Sequence, residues 1–157
     1  MDAVDADAEA LAAARAAGGG PRYRHADVRD TELPGGHYDF ISCVASLHHM
    51  EFATVTRLRQ ALAPGGVPAV LGLYPVRTVA DALWSVPAVA LNTAHRALSR
   101  RRPGPADVPV PLVWPPPLGY GETRAEAARL LPGATLRRLV LWRYLLVYRE
   151  PPVPSRG

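Results

Sequence analysis

The chain has 157 residues, 48% of them apolar and 20% charged, enough for a domain with a core and too apolar for a mainly disordered chain. No apolar run approaches the roughly 20 residues of a membrane-crossing helix, and the acidic start, Met1 to Asp7, has no signal or transit character. The single cysteine, Cys43, excludes an internal disulfide and a thiolate zinc site, so a cytoplasmic protein without a metal is expected.

The formal charge is +4 and every one of the 18 basic residues is Arg. Apart from Arg100–Arg102 and Arg137–Arg138 the arginines are scattered, whereas binding to a polyanion needs a clustered stripe. Neither nucleic acid nor a membrane is therefore an expected partner. The abundance of Ala, Arg, Pro and Gly reads instead as the coding bias of a GC-rich genome.

Asp2 to Val4 reads as the end of a strand. Asp7 then offers a carboxylate to the free N–H groups of a helical turn, and Ala8 to Ala17 follows as a helix of strong formers. Gly18–Gly20 and Pro21 end it. Tyr23 to His25 is a short strand, closed by Ala26-Asp27, and Leu33-Pro34-Gly35-Gly36 is a turn. Tyr38 to Ala45 has the composition of a buried parallel strand. Phe52, Val55, Leu58 and Leu62 recur at helical spacing and predict a helix over 51–62. Ala63-Pro64-Gly65-Gly66 should break it, ahead of a buried strand from Val67 to Tyr74. Strand alternating with helix is the pattern of an open, doubly wound α/β sheet.

The second half changes character. Val79, Leu83, Val86, Ala90, Ala94 and Leu98 keep helical spacing, with Pro87 as a kink or restart. Residues 103–117 hold seven prolines and read as a loop. Glu122 to Leu131 is a short helix. Leu136–Trp142 and Tyr144–Arg149 are two strands joined so closely, around Arg143, that they must form an antiparallel hairpin.

Taken in order, Ala3-Val4-Asp5-Ala6-Asp7, His25-Ala26-Asp27-Val28, Tyr38 to Ser42 with Leu47-His48-His49, and Leu58 to Leu71 with its Pro-Gly-Gly turn resemble a class I S-adenosylmethionine-dependent methyltransferase of the small-molecule type. The closing hairpin matches the antiparallel last strand of that family. The resemblance implies a Rossmann-like sheet, mainly parallel, and S-adenosyl-L-methionine as cofactor. It implies that Asp5 binds the ribose hydroxyls and Asp27 receives the adenine amino group. Val28 would pack on the purine face, and Val44 is counted with the cofactor set. His48 and His49, adjacent at the substrate mouth, are candidates to orient or deprotonate an acceptor. Tyr74 and Trp114 would line the acceptor site, because the segments after the fifth strand form the lid in such enzymes. Residues 1–150 would make one domain with a lid at about 75–120, and 151–157 a tail.

The family's first strand and its G-x-G-x-G loop have no counterpart from Met1 onward, since Gly18–Gly20 follows a helix rather than a strand. The sheet is thus expected to lack its central first strand, as in an N-terminally truncated member. Open edges would remain on its two neighbours unless they paired directly. Methyl transfer to a small-molecule acceptor would then be impaired. The alternatives are a non-catalytic remnant or interaction module of the same fold, and another kind of nucleotide-binding α/β protein.

Overall fold

The protein, seen as a computed structural model, is described over residues 1–99 and 115–152. It divides into two compact units, Met1–Pro34 and Gly35–Gly157. Trp114 lies outside the described residues.

The smaller unit is a βαβ hairpin. Strand β1 (Asp2–Asp5) leads into helix α1 (Ala8–Ala16), which returns to strand β2 (Arg22–His25). The helix starts where the sequence places it, because Asp7 accepts the N–H groups of Glu9 and Ala10. Its one fully buried side chain is Leu11. The strands pair in parallel, Asp2 with Arg22 through Asp5 with His25, so their C-terminal ends lie together.

The larger unit contains β3 (Tyr38–Val44), a 3-10 turn (Leu47–His49), α2 (Thr54–Gln60), β4 (Leu62–Leu73), α3 (Val79–Ser99), α4 (Tyr120–Leu130), β5 (Thr135–Leu139) and β6 (Arg143–Val147). The sheet order is β3-β4-β6-β5, with β3 and β4 parallel and the remaining pairs antiparallel. One face of β4 is buried in the core with Leu47, Val55, Leu131, Tyr144 and Leu146. Within its own sheet, each of β1 and β3 is an end strand with one partner.

Strand β3, expected to be buried, has no buried residue, and Phe40 and Val44 are 60% and 61% exposed; four further expectations need correction. The break at Ala63–Gly66 lies inside β4. The pairing register jumps from Tyr38–Leu62 to Phe40–Val67, so the extra residues form a bulge. The bulge survives because the segment after β6 holds it: Glu150 N donates to Gly66 O at 2.9 Å and Gly65 N to Glu150 O at 3.1 Å. Glycine is required twice there. Gly65 has φ +80°, and a Cβ on Gly66 would meet the Tyr38 carbonyl at 2.7 Å. Second, the helix expected over 51–62 is the shorter α2, Thr54–Gln60, and Leu62 joins the sheet. Third, the hairpin turns at Val140–Trp142, with Leu141 and Trp142 left-handed at φ 61° and 57°. Arg143 is therefore a strand residue paired with Leu139. Fourth, α4 starts at Tyr120, two residues ahead of expectation, because Gly119 and Glu122 form its cap (Gly119 N to Glu122 Oε2, 2.6 Å).

Helix α3 is tied to the hairpin by buried polar groups. Asp81 Oδ2 accepts the N–H groups of Arg77 and Thr78 while Thr78 Oγ1 accepts that of Asp81, a reciprocal cap. The other carboxylate oxygen of Asp81 receives Arg138 Nη2 at 2.6 Å. The Arg138 guanidinium lies over the rings of Tyr120 and Tyr74, 4.1 and 5.2 Å from their centroids. Trp142 Nε1 donates to Ser85 Oγ, which donates to the Asp81 carbonyl. Removing one partner of a buried pair leaves the other charge uncompensated, at a cost of about 3–5 kcal/mol. Arg138→Ala should therefore lower unfolding stability in urea by about that much. Arg138→Ala and Asp81→Ala combined should cost less than the sum of the two singles.

Candidate functional site

In the smaller unit, parallel pairing puts Asp5 and Asp27 at the same end of the β1–β2 sheet: Asp5 is the last residue of β1, and Asp27 lies two beyond β2. Asp5 is exposed, and its Oδ1 accepts Asp7 N at 2.9 Å. Four lone-pair sites belong to a carboxylate, so Asp5 retains acceptor capacity. Asp27 is more fully engaged. Its Oδ1 accepts Arg29 N at 2.8 Å, and the Arg29 guanidinium grips both oxygens at 2.6–3.0 Å. Those Arg29 hydrogen bonds pull the Asp27 carboxyl down to about 2, so it is ionised at any physiological pH. Val28 is half-buried in the turn that follows.

In the larger unit, Val44 ends β3 with its side chain 61% exposed. Ala45 then takes a left-handed conformation, φ 51°, costly for a residue with a Cβ. Its N–H is held by Leu71 O at 2.7 Å. This turn redirects the chain into Leu47–His49. Leu47 and His48 point inward and are buried, while His49 is exposed with its ring centroid 4.0 Å from that of His48.

Neither ring nitrogen of His48 has a hydrogen-bond partner. Its ring borders a small pocket whose other walls include Phe52, Leu73, Pro116, Leu118, Thr123 and Tyr144. The pocket has room for about one water molecule. Burial, and then the neighbouring His49, hold the His48 pKa below that of an ordinary imidazole, so at neutral pH His48 is an uncharged base in apolar surroundings. Burial pushes the Tyr144 hydroxyl well above the usual phenol range, and Tyr144 remains protonated.

Tyr74 is wholly buried, its hydroxyl without a partner, between Arg138 and Tyr120. It stands in the core and is not among the pocket residues. Sequence reasoning missed Tyr144, Thr123 and Leu118, because residues far apart in the chain meet only when α4 and β6 pack together. It also missed Arg29 as the partner of Asp27, for which the signal was its position two residues downstream. Among the described residues no group of His, Cys, Asp and Glu could hold a metal ion, and no helix is long and apolar enough to cross a membrane.

Two measurements test this geometry. The unfolded chain protonates His48 near pH 6.5, but the folded chain does so only at lower pH. Stability should fall as pH drops below about 6.5 and level off once folded His48 is protonated. Urea titrations of His48→Leu should lack that part of the slope. At Gly72 an added Cβ would overlap the Tyr144 ring, so Gly72→Ala should destabilise by about 1–3 kcal/mol, as overpacking does.

Residues 1–70 match the model of a methyltransferase domain. The chain is 36% identical over 156 residues to uncharacterized methyltransferases of Mycobacterium tuberculosis and Mycobacterium bovis, with 96% of this chain and 76% of each relative covered. Among solved structures it is similar to an S-adenosylmethionine-dependent methyltransferase of Mesorhizobium loti (TM-score 0.57, 21% identity, 94% of this chain and 78% of that one). A second is an S-adenosylmethionine-dependent methyltransferase of Methanosarcina mazei (TM-score 0.53, 13% identity, 96% and 81%). At these identities the structural likeness concerns the fold.

Proposed function

Since the chain belongs to the methyltransferases, we propose that it serves S-adenosylmethionine-dependent methyl transfer to a small-molecule acceptor bound against the pocket of the larger unit. In this reading the neutral His48 orients the acceptor and takes its proton. The observation that carries the reading is His48 itself: a buried imidazole with both nitrogens free, on an apolar wall. A buried polar side chain without a partner costs stability, and an acceptor hydroxyl or N–H would satisfy it. The wall at Pro116–Leu118 has to yield for an acceptor to enter, in keeping with a lid at about 75–120.

A small molecule suits the electrostatics better than a polyanion. Arg22, Arg29, Arg59, Arg77, Arg129 and Arg138 are all held in ion pairs with carboxylates, which removes much of the field that would attract phosphates.

The nucleoside half of the cofactor fits the smaller unit. Asp5 has capacity for a ribose diol, and Asp27 would take an adenine amine once Arg29 releases one of its oxygens. Val28 is the apolar member of the proposed set in this unit. The methionine half has no fitted counterpart, since among the described residues no glycine-rich turn joins a strand to a helix. When bound, the cofactor supplies the electrophilic methyl group, and the residues of this chain hold and align the reactants.

Hydrogen bonds to charged groups are worth about 1.5–3 kcal/mol each. Without two or three of them a micromolar site weakens to about millimolar. Calorimetric titration of the 157-residue chain with S-adenosylmethionine should therefore show weak binding, weaker still in Asp5→Asn and tighter in Arg29→Ala. Low-micromolar binding would show that other residues complete the site. For the chemistry, His48→Gln should lower kcat for transfer of a labelled methyl group by about a hundredfold with little change in KM. An unchanged kcat would remove His48 from the reaction.

A further inference from the structure

The pocket beside His48 has walls of two kinds. Phe52, Pro116 and Pro117 present flat apolar faces, and a ligand ring packs well on such a wall, above all on the Phe52 ring. The polar side chains among the described lining residues are His48, Thr123 and Tyr144, and none of the three is charged at neutral pH. His48 is 8% exposed, with both ring nitrogens unpaired. Thr123 is buried and donates its hydroxyl hydrogen to the Gly119 carbonyl at 2.9 Å, so it offers a ligand only lone pairs. Tyr144 is buried too, and burial keeps its hydroxyl protonated, a hydrogen-bond donor.

Walls of this kind select a ligand by charge and by hydrogen-bonding type. A neutral imidazole has one accepting and one donating nitrogen. A carboxylate only accepts and an ammonium only donates, and each would bring its charge out of water against apolar side chains, where an unpaired ion is strongly disfavoured. An uncharged hydroxyl both donates and accepts at one oxygen, which matches an acceptor on His48 and a donor on Tyr144. Acidity narrows the class further. The buried His48 is a weaker base than an ordinary imidazole. Such a base takes a proton more readily from a phenol, with a pKa of about 10, than from the much less acidic hydroxyl of an aliphatic alcohol. The planar ring of a phenol also suits the flat apolar wall.

Resting on the reading of this pocket as the acceptor site, we propose that it takes an uncharged phenol as the acceptor, its ring against Phe52 and the Pro116–Pro117 wall and its O–H donating to a His48 nitrogen. The test is side-chain NMR of the full chain, isotope-labelled on histidine, at neutral pH, with phenol, benzyl alcohol, benzoate and benzylammonium as probes. His48→Gln identifies the His48 signals. Phenol is expected to shift those signals saturably, benzyl alcohol to bind more weakly, and the two ions at least about tenfold more weakly than phenol. The pocket has room for about one water molecule, so Leu118→Ala, which trims the wall that has to yield, should tighten phenol binding. By calorimetry His48→Leu should weaken it about tenfold, the worth of one hydrogen bond. Any of the other three probes binding as tightly as phenol would overturn the proposal. So would phenol that leaves the His48 signals unmoved in both the parent and Leu118→Ala. Because the readout is binding, the chemistry is tested apart from it: phenol held at His48 but never methylated would count against methyl transfer and support the ligand class.

Discussion

The larger unit depends on one constraint, that β4 must pair along both edges at once. On one side it runs parallel to β3; on the other it is antiparallel to β6. Its buried face carries Gly66, Pro68, Val70 and Gly72, mostly small residues that let large neighbours approach. Gly72 leaves room for the Tyr144 ring, and Gly66 for the Tyr38 carbonyl. Tyr144 then stands against the pocket bordered by His48, so the spacing of glycines in one strand reaches directly to the candidate site. The bulge around Gly65 lets the strand absorb three extra residues without losing register beyond Phe40.

Polar burial distinguishes the two faces of the same unit. Where polar groups are paired, as in Asp81–Arg138 and Trp142–Ser85–Asp81, they fasten α3 to the hairpin and fix its orientation. At His48 they are unpaired, beside the small pocket. The contrast follows from the cost of leaving a donor or acceptor unsatisfied away from water. The network around Asp81 also fixes which face of α3 meets solvent, and the apolar face is the one left outside.

Ten of the 18 arginines fall into two groups. Those at 22, 29, 59, 77, 129 and 138 are neutralised locally by carboxylates. Those at 96 and 100–102 follow a segment without acids. A global charge of +4 therefore conceals an uneven distribution along the sequence.

Much of the architecture was legible in the sequence. Asp7 set the start of α1, the apolar run at Tyr38–Val44 set β3, and the short link near Arg143 demanded a hairpin, all through local chemistry. The order of the motifs identified the methyltransferase fold, and parallel pairing placed Asp5 and Asp27 at one end of their sheet. Tertiary structure decided the rest. It carried Ala63–Gly66 into β4, because the hydrogen bonds from Gly65 N–H to the Glu150 carbonyl and from Glu150 N–H to the Gly66 carbonyl, across more than 80 positions, outweigh the local preference to turn. It turned the hairpin at Leu141–Trp142 rather than Arg143, because the cross-strand register with β4 takes precedence over the turn. It buried Tyr74 under Arg138, engaged Asp27 with Arg29, and left the His48 nitrogens unpaired beside Tyr144. Periodicity shows that α3 is amphipathic, yet it cannot show which face looks inward; a buried ion pair formed across 57 positions decides that, and no local pattern records it.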